Sequence, residues 1–153
     1  MSGPIRTPEP RARPARGSVL GFDFGEQRIG VAVGEIEIAI PHALPVIAAA
    51  DNARRFDAIA VLIAQWQPVR LVVGVASHAD GAPHETGRLA RRFGQRLHGR
   101  FGLPVDTVDE RLTSLAADAA LREAGLGQMR RASVLDSAAA AEILRTWFTT
   151  RPA

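Results

Sequence analysis

Three carboxylates stand where an apolar residue would be the ordinary choice. Asp23 interrupts Leu20-Gly21-Phe22-Asp23-Phe24, the most apolar part of an expected central strand. An ionised carboxylate buried alone costs several kcal/mol, so a residue placed there must be paired or bind a cation. The competing use is simpler: an Asp at a strand end can close the turn at Gly25. Glu110 ends a later strand in Val108-Asp109-Glu110-Arg111. A Glu–Arg pair at a strand end is commonplace, yet the carboxyl ends of parallel strands are also where α/β sheets place their ligands. Asp136 fits the capping-box spacing Ser133-x-x-Asp136, with an acid shorter than the usual Glu. It also heads the stripe Asp136, Ala139, Ala140, Ile143, Trp147, whose helical spacing turns it toward the sheet. Two carboxylates from strands and one from a helix leaning on them could surround a pair of divalent ions. Hard oxygen ligands select Mg²⁺ or Mn²⁺. Two such ions about 4 Å apart can hold a phosphodiester, activate the attacking water and stabilise the leaving oxygen.

A second group of residues suits phosphate itself. The segment after Pro83 carries Arg88, Arg91, Arg92, Arg96 and Arg100 against the single acid Glu85. Guanidinium forks match phosphate oxygens, although such a run also serves as a plain solvated helix face. His78 and His84 have no further ligands nearby in sequence and read as polar surface. All 19 basic side chains of the 153 residues are arginine, against 16 acids, for a net charge of +3. Arg6, Arg11, Arg13 and Arg16 against Glu9 account for that whole excess, so the remainder of the chain is neutral. A polyanion would therefore depend on clustered arginines and bound cations, not on overall charge. With no cysteine, thiolate metal sites and a cysteine nucleophile are excluded.

These residues need a scaffold, and the hydrophobic pattern supplies one. Residues 1–17, with Pro4, Pro8, Pro10 and Pro14, are expected to form a disordered basic arm, and 18–150 a single domain. Val19–Phe24 and Ile29–Gly34 flank a glycine-containing turn and predict a hairpin. Ile36–Ala48 predicts a third strand, broken near Pro41 and Pro45. Asp51 should cap a helix to about Gln67, burying Phe56, Ile59, Ala60 and Ile63. Leu71–Val75 has the continuous apolar run of a strand covered on both faces. A helix from about His84 to Arg100 repeats Leu89, Phe93, Leu97 and Phe101 every four residues. Leu103–Val108 predicts a fifth strand, and helices are expected near 113–123 and 133–148. The result is an α/β fold: a five-stranded mixed sheet, antiparallel at its start and parallel after it, flanked by helices. No run is long and apolar enough for a membrane span, and the first residues lack the apolar core of an export signal, so a cytoplasmic location is expected.

At these residues the chain resembles the YqgF family of bacterial RuvX-like proteins. The matching pieces are Gly21-Phe22-Asp23-Phe24-Gly25 through Arg28-Ile29-Gly30-Val31-Ala32-Val33-Gly34, then Val72-Val73-Gly74, Asp80-Gly81, Asp109-Glu110-Arg111-Leu112-Thr113-Ser114 and Leu135-Asp136-Ser137-Ala138-Ala139-Ala140. They follow the family's order across residues 18–148. The resemblance implies a ribonuclease H-like fold and a nuclease processing the 5′ end of precursor 16S ribosomal RNA. It implies Asp23, Glu110 and Asp136 as the metal-binding acids, Mg²⁺ or Mn²⁺ as the cofactor, and precursor RNA or structured DNA as the partner of a monomer or homodimer. Arg28, Arg88, Arg92, Arg96 and Arg111 are the expected nucleic-acid contacts. The sequence departs from the family where Gly74 is followed by Val75-Ala76 instead of Leu-Pro, and where Gln27 replaces a basic residue.

Other functions remain open at this level. A Holliday junction resolvase would apply the same chemistry to DNA and would need a dimer presenting two sites. An RNA-binding assembly factor could keep the fold without catalysis; retention of all three acids argues against it. Asp23-x-Gly25-x-x-x-x-Gly30 also resembles the first phosphate loop of the actin and sugar-kinase superfamily, whose members need two such domains, more than 153 residues can supply.

Overall fold

The structure, a computed structural model, describes residues 14–48, 51–75, 85–109 and 128–150, without the side chains of residues 86 and 128–136. The elements run β1 (Ser18–Phe24), β2 (Arg28–Glu35), β3 (His42–Ala48), α1 (Asn52–Trp66), β4 (Arg70–Val75), α2 (Glu85–Phe101), β5 (Val105–Asp109) and α3 (Gln128–Thr149). The helix expected near 113–123 lies outside the described residues. So do residues 1–13 of the expected arm, together with His78, Asp80, Gly81 and His84.

The sheet order is β3-β2-β1-β4-β5. β1 pairs antiparallel with β2 and parallel with β4, and β4 pairs parallel with β5. The antiparallel start and parallel crossovers are those read from the sequence. The carboxyl ends of β1, β4 and β5 consequently share one edge. On one face, Leu20, Phe22, Leu71 and Val73 pack under α1 and α2 through Phe56, Ile59, Ala90, Phe93 and Leu97. On the other, Val19, Ala32 and Val72 meet Ala140, Ile143, Leu144 and Trp147 of α3. Each large side chain buried this way contributes about 1.5–3 kcal/mol. All six residues of β4 are buried, as its unbroken apolar run predicts.

Three expectations are corrected. The third strand begins at His42, not Ile36. After Glu35 the chain turns, with Ile38 and Ala39 both donating to the Glu35 carbonyl and Ala39 at φ 60°. Pro45 falls where the β2–β3 register shifts, on an edge strand that tolerates a residue without an N–H. On α1, Ala60 faces solvent, because the buried stripe runs through Arg55, Phe56 and Ile59. The last helix starts at Gln128, several residues before Ser133, so Asp136 lies in a helix interior and is not part of an N-terminal cap. Residues 128–132 include Met, Ala and two Arg, all good helix formers, which extends the helix past the capping-box signal. Asp51 does cap α1 as expected, accepting from the Arg54 backbone N–H at 2.9 Å.

Candidate functional site

Asp23 is the next-to-last residue of the central strand and pairs with Gly30 of β2. On the other side Phe22 pairs with Val73, so the following residue of β4 is Gly74. Its neighbours on both adjoining strands are thus glycines, and Asp23 itself is half-buried. Strand alternation decides its direction. Leu20 and Phe22 belong to the α1/α2 face and Val19 to the α3 face, so Asp23 shares the side covered by α3.

The approach of α3 to that face is unusually close. A Cβ added to Gly21 would lie 2.6 Å from Leu144 Cγ and 3.3 Å from the Ala140 carbonyl oxygen. The small residues from Ser137 to Ala141 make this distance accessible, and Ser137 Oγ donates to the Leu44 carbonyl at 2.6 Å, tying this part of α3 to β3. Phe148 lies against Gly34, the partner of Val19, so α3 runs antiparallel to β1, with its amino-terminal part toward the strand's carboxyl end. One helical turn from Ala140 to Asp136 advances about 6 Å, and two strand residues from Gly21 to Asp23 advance about 6.6 Å. The backbone of α3 thus brings the turn carrying Asp136 level with the strand end carrying Asp23. On β5, Asp106 and Val108 occupy the α3 face: Asp106 accepts from Trp147 Nε1 at 2.7 Å, and Val108 packs on the α3 cluster. Glu110 and Arg111 lie outside the described residues, and nothing is described of the Asp136 side chain. Among the described residues no group of three His, Cys, Asp or Glu gathers as a metal site.

The turn after Asp23 is held by a residue that sequence reasoning passed over. Arg55, 4% exposed, reaches from α1, and its Nη2 donates to the Gly25 carbonyl at 2.9 Å. Its guanidinium carbon stands 5.5 Å from the Phe24 ring centroid. Burial pushes its pKa below the ordinary arginine value, while Glu26 and Asp51 pull it back up. A Cβ on Gly25 would collide with the Arg28 carbonyl, so the turn accepts only glycine without moving its backbone. A signal for Arg55 existed, since it is a charge placed within the apolar stripe of α1 at the spacing of Ile59 and Leu62.

The α2 arginines 88, 91, 92, 96 and 100 are all exposed, opposite the buried Phe93 and Leu97. Arg88 is engaged by Glu85 at 2.7 Å, which raises its pKa. Arg92 and Arg96 line a pocket of about 160 Å³ with Phe24, Asn52, Phe56, Leu89 and Phe93. Arg28 opens β2 on the exposed side of the turn that follows Asp23.

A family model described as "RuvX: Holliday junction resolvase" matches residues 17–150. The chain belongs to the RuvX family. A relative from Dechloromonas aromatica is 56% identical over 86% of this chain and 90% of its own length; one from Methylobacillus flagellatus is 52% identical over 92% and 96%. Both carry the name "Putative pre-16S rRNA nuclease". Among solved structures, RuvC of Thermus thermophilus in complex with a Holliday junction substrate superposes with a TM-score of 0.56 at 18% identity, covering 90% of this chain and 99% of its own. The fold is therefore that of RuvC, the ribonuclease H-like arrangement expected from the sequence.

Proposed function

We propose that this RuvX-family chain is a divalent-metal-dependent nuclease that processes the 5′ end of precursor 16S ribosomal RNA in the cytoplasm. The observation carrying the reading is Asp23: a half-buried carboxylate at the end of the central strand, with glycines beside it, turned toward the helix that carries Asp136. Asp106 and Val108 lie on the α3 face of β5, and the next position of the same parity is Glu110. The names of close relatives supply the RNA.

Asp23, Glu110 and Asp136 would hold Mg²⁺ or Mn²⁺. A donor set of carboxylates without sulfur or imidazole suits these hard cations. When bound, such ions supply positive charge against the phosphate oxygens and a more acidic water as nucleophile. The chain's own part is positional. Arg55 and Gly25 hold the backbone of the turn beyond Asp23, which keeps the strand end carrying the carboxylate in place. Arg28 offers a fork to a phosphate beside the acid, and the α2 arginines hold the strand away from it. No helix among the described residues is long and apolar enough to cross a membrane, consistent with a substrate free in solution.

Purified protein with Mg²⁺ or Mn²⁺, offered a precursor 16S leader RNA, an unrelated single-stranded RNA and a four-way DNA junction, tests the proposal. Cleavage of the leader, lost in Asp23→Asn, is the expected result. Cleavage of the junction alone would mark a resolvase, and binding without cleavage an assembly factor.

A further inference from the structure

The groove between α1 and α2 has a composition that plain phosphate binding does not require. Its larger part, about 430 Å³, is lined by Asn52, Ala53, Phe56, Arg96 and Arg100. It adjoins the pocket of Phe24, Arg92 and Phe93, which shares Asn52, Phe56 and Arg96 with it. The Arg100 guanidinium carbon lies 5.2 Å from the Phe56 ring centroid, so the ring backs one side of Arg100, which is itself exposed. Asn52, in the first turn of α1, is exposed and offers an amide that can both donate and accept. Among the described residues, Arg92 and Arg96 have no acidic partner, whereas Arg88 is committed to Glu85. An aromatic-backed guanidinium plane, an amide and two unengaged forks together match a nucleotide: a surface for the base, a reader for its edge, and charge for its phosphate.

We infer that this groove holds one unpaired nucleotide of the RNA strand, its base stacked against Arg100 beside Asn52 and its phosphate on Arg96 and Arg92. The inference rests on the RNA-nuclease reading and deepens it by specifying single-stranded RNA. Phe24 at the groove directly follows Asp23, and the two residues point to opposite faces of one strand end. A strand crossing that end can therefore present a phosphodiester on one side while a neighbouring nucleotide is gripped on the other. A duplex cannot use the groove in this way, because its bases are paired and stacked and offer no free face to the guanidinium.

The test measures affinity for a fluorescent 12-nucleotide single-stranded RNA and for the same RNA as a duplex, in an Asp23→Asn background with Mg²⁺. Arg100→Lys keeps the charge and loses the plane. It should weaken single-strand binding about fivefold, leave the duplex unchanged, and leave the salt slope unaltered. Arg96→Gln should weaken single-strand binding about tenfold and flatten the salt slope by about 0.7. Arg145→Gln, on the exposed side of α3, serves as a control and should change neither affinity. Melting curves of each variant establish that the fold is retained. Equal losses on single strand and duplex, or no loss with Arg100→Lys, overturn the groove while leaving the nuclease reading intact. Cleavage of the RNA by the Asp23→Asn protein strikes instead at the active-site reading, and absence of RNA binding by the parent protein overturns both.

Discussion

The two faces of β1 are built on opposite principles. Toward α3 the strand presents Val19, Gly21 and Asp23, and at Gly21 the helix comes close through Leu144 and the Ala140 carbonyl. Toward α1 and α2 it presents Leu20, Phe22 and Phe24, and the helices answer with Phe56, Phe93 and Leu97. The rings of Phe22 and Phe24 stand 5.8 and 5.1 Å from that of Phe93. The close approach at Gly21 fixes the distance between strand and helix and leaves little freedom, which on the proposed reading would suit acids that share ions. Packing of large rings fixes volume and leaves grooves at its rim, which suits arginines that must follow a flexible strand. The difference teaches that one strand end can serve chemistry on one face and grip on the other, because its side chains alternate.

The largest expected effect lies on the α3 face. Asp23→Asn is nearly isosteric and should lower the cleavage rate by roughly 10³-fold or more, about 4 kcal/mol of transition-state stabilisation. The melting temperature without metal should hold level or rise, since on the proposed reading the change removes one negative charge from beside two other acids. If the variant unfolds instead, Asp23 is mainly a structural hydrogen-bond partner, and the division between the faces is lost.

At the far end of that face, Arg70 Nη1 meets Asp106 at 3.1 Å with its side chain only 6% exposed, and Asp106 also receives Trp147. Arg70→Gln should destabilise the fold by about 2–3 kcal/mol. That is below the cost of breaking a fully buried pair, because Asp106 keeps its indole donor and some solvent. Calorimetry should register a fall in Tm of roughly 6–9 °C.

A matched pair of glycines sharpens the comparison directly. Gly21→Ala forces a methyl into Leu144 and should cost about 2 kcal/mol. Gly94→Ala on α2 meets Val105 Cγ1 at 3.4 Å and Val73 Cγ2 at 3.7 Å, ordinary contact distances. It should be neutral or stabilising by up to about 1 kcal/mol through helix propensity. Denaturation midpoints of the two variants moving together would contradict the contrast between the faces.

The smallest effect concerns the entry to β1. Gly17 donates to the Glu37 carboxylate at 2.9 Å, and this bond holds the Glu37 pKa below its ordinary value. A depressed carboxylate contributes stability above its unfolded pKa and loses it as pH falls through the folded one. The protection of the Gly17 amide, taken relative to the intrinsic exchange rate at each pH, should therefore fall as the solution is acidified through and below the usual carboxylate range. In Glu37→Gln the same acidification should produce no such step.

Much of this was legible in the residues themselves. The two apolar runs of the β1–β2 hairpin, the unbroken β4, the Asp51 cap and the four-residue spacing on α2 depend on neighbours in sequence, and they appear where expected. Asp23 was legible for the same reason, as a charge inside an apolar run. Other features were decided only by tertiary packing. Whether α1 turns Ala60 or Arg55 inward depends on what the sheet offers, and here it offers the Gly25 carbonyl. Whether Asp136 caps a helix or lies inside one depends on where that helix begins, which α3 settles at Gln128. The α2 arginines were readable as a group. The Arg88–Glu85 pair is local, three residues apart on α2, but which arginines line the groove with Phe24 and Asn52 is set by the crossing of two helices remote in sequence. Local periodicity determines which side of an element is apolar; only the assembled sheet determines what stands opposite it.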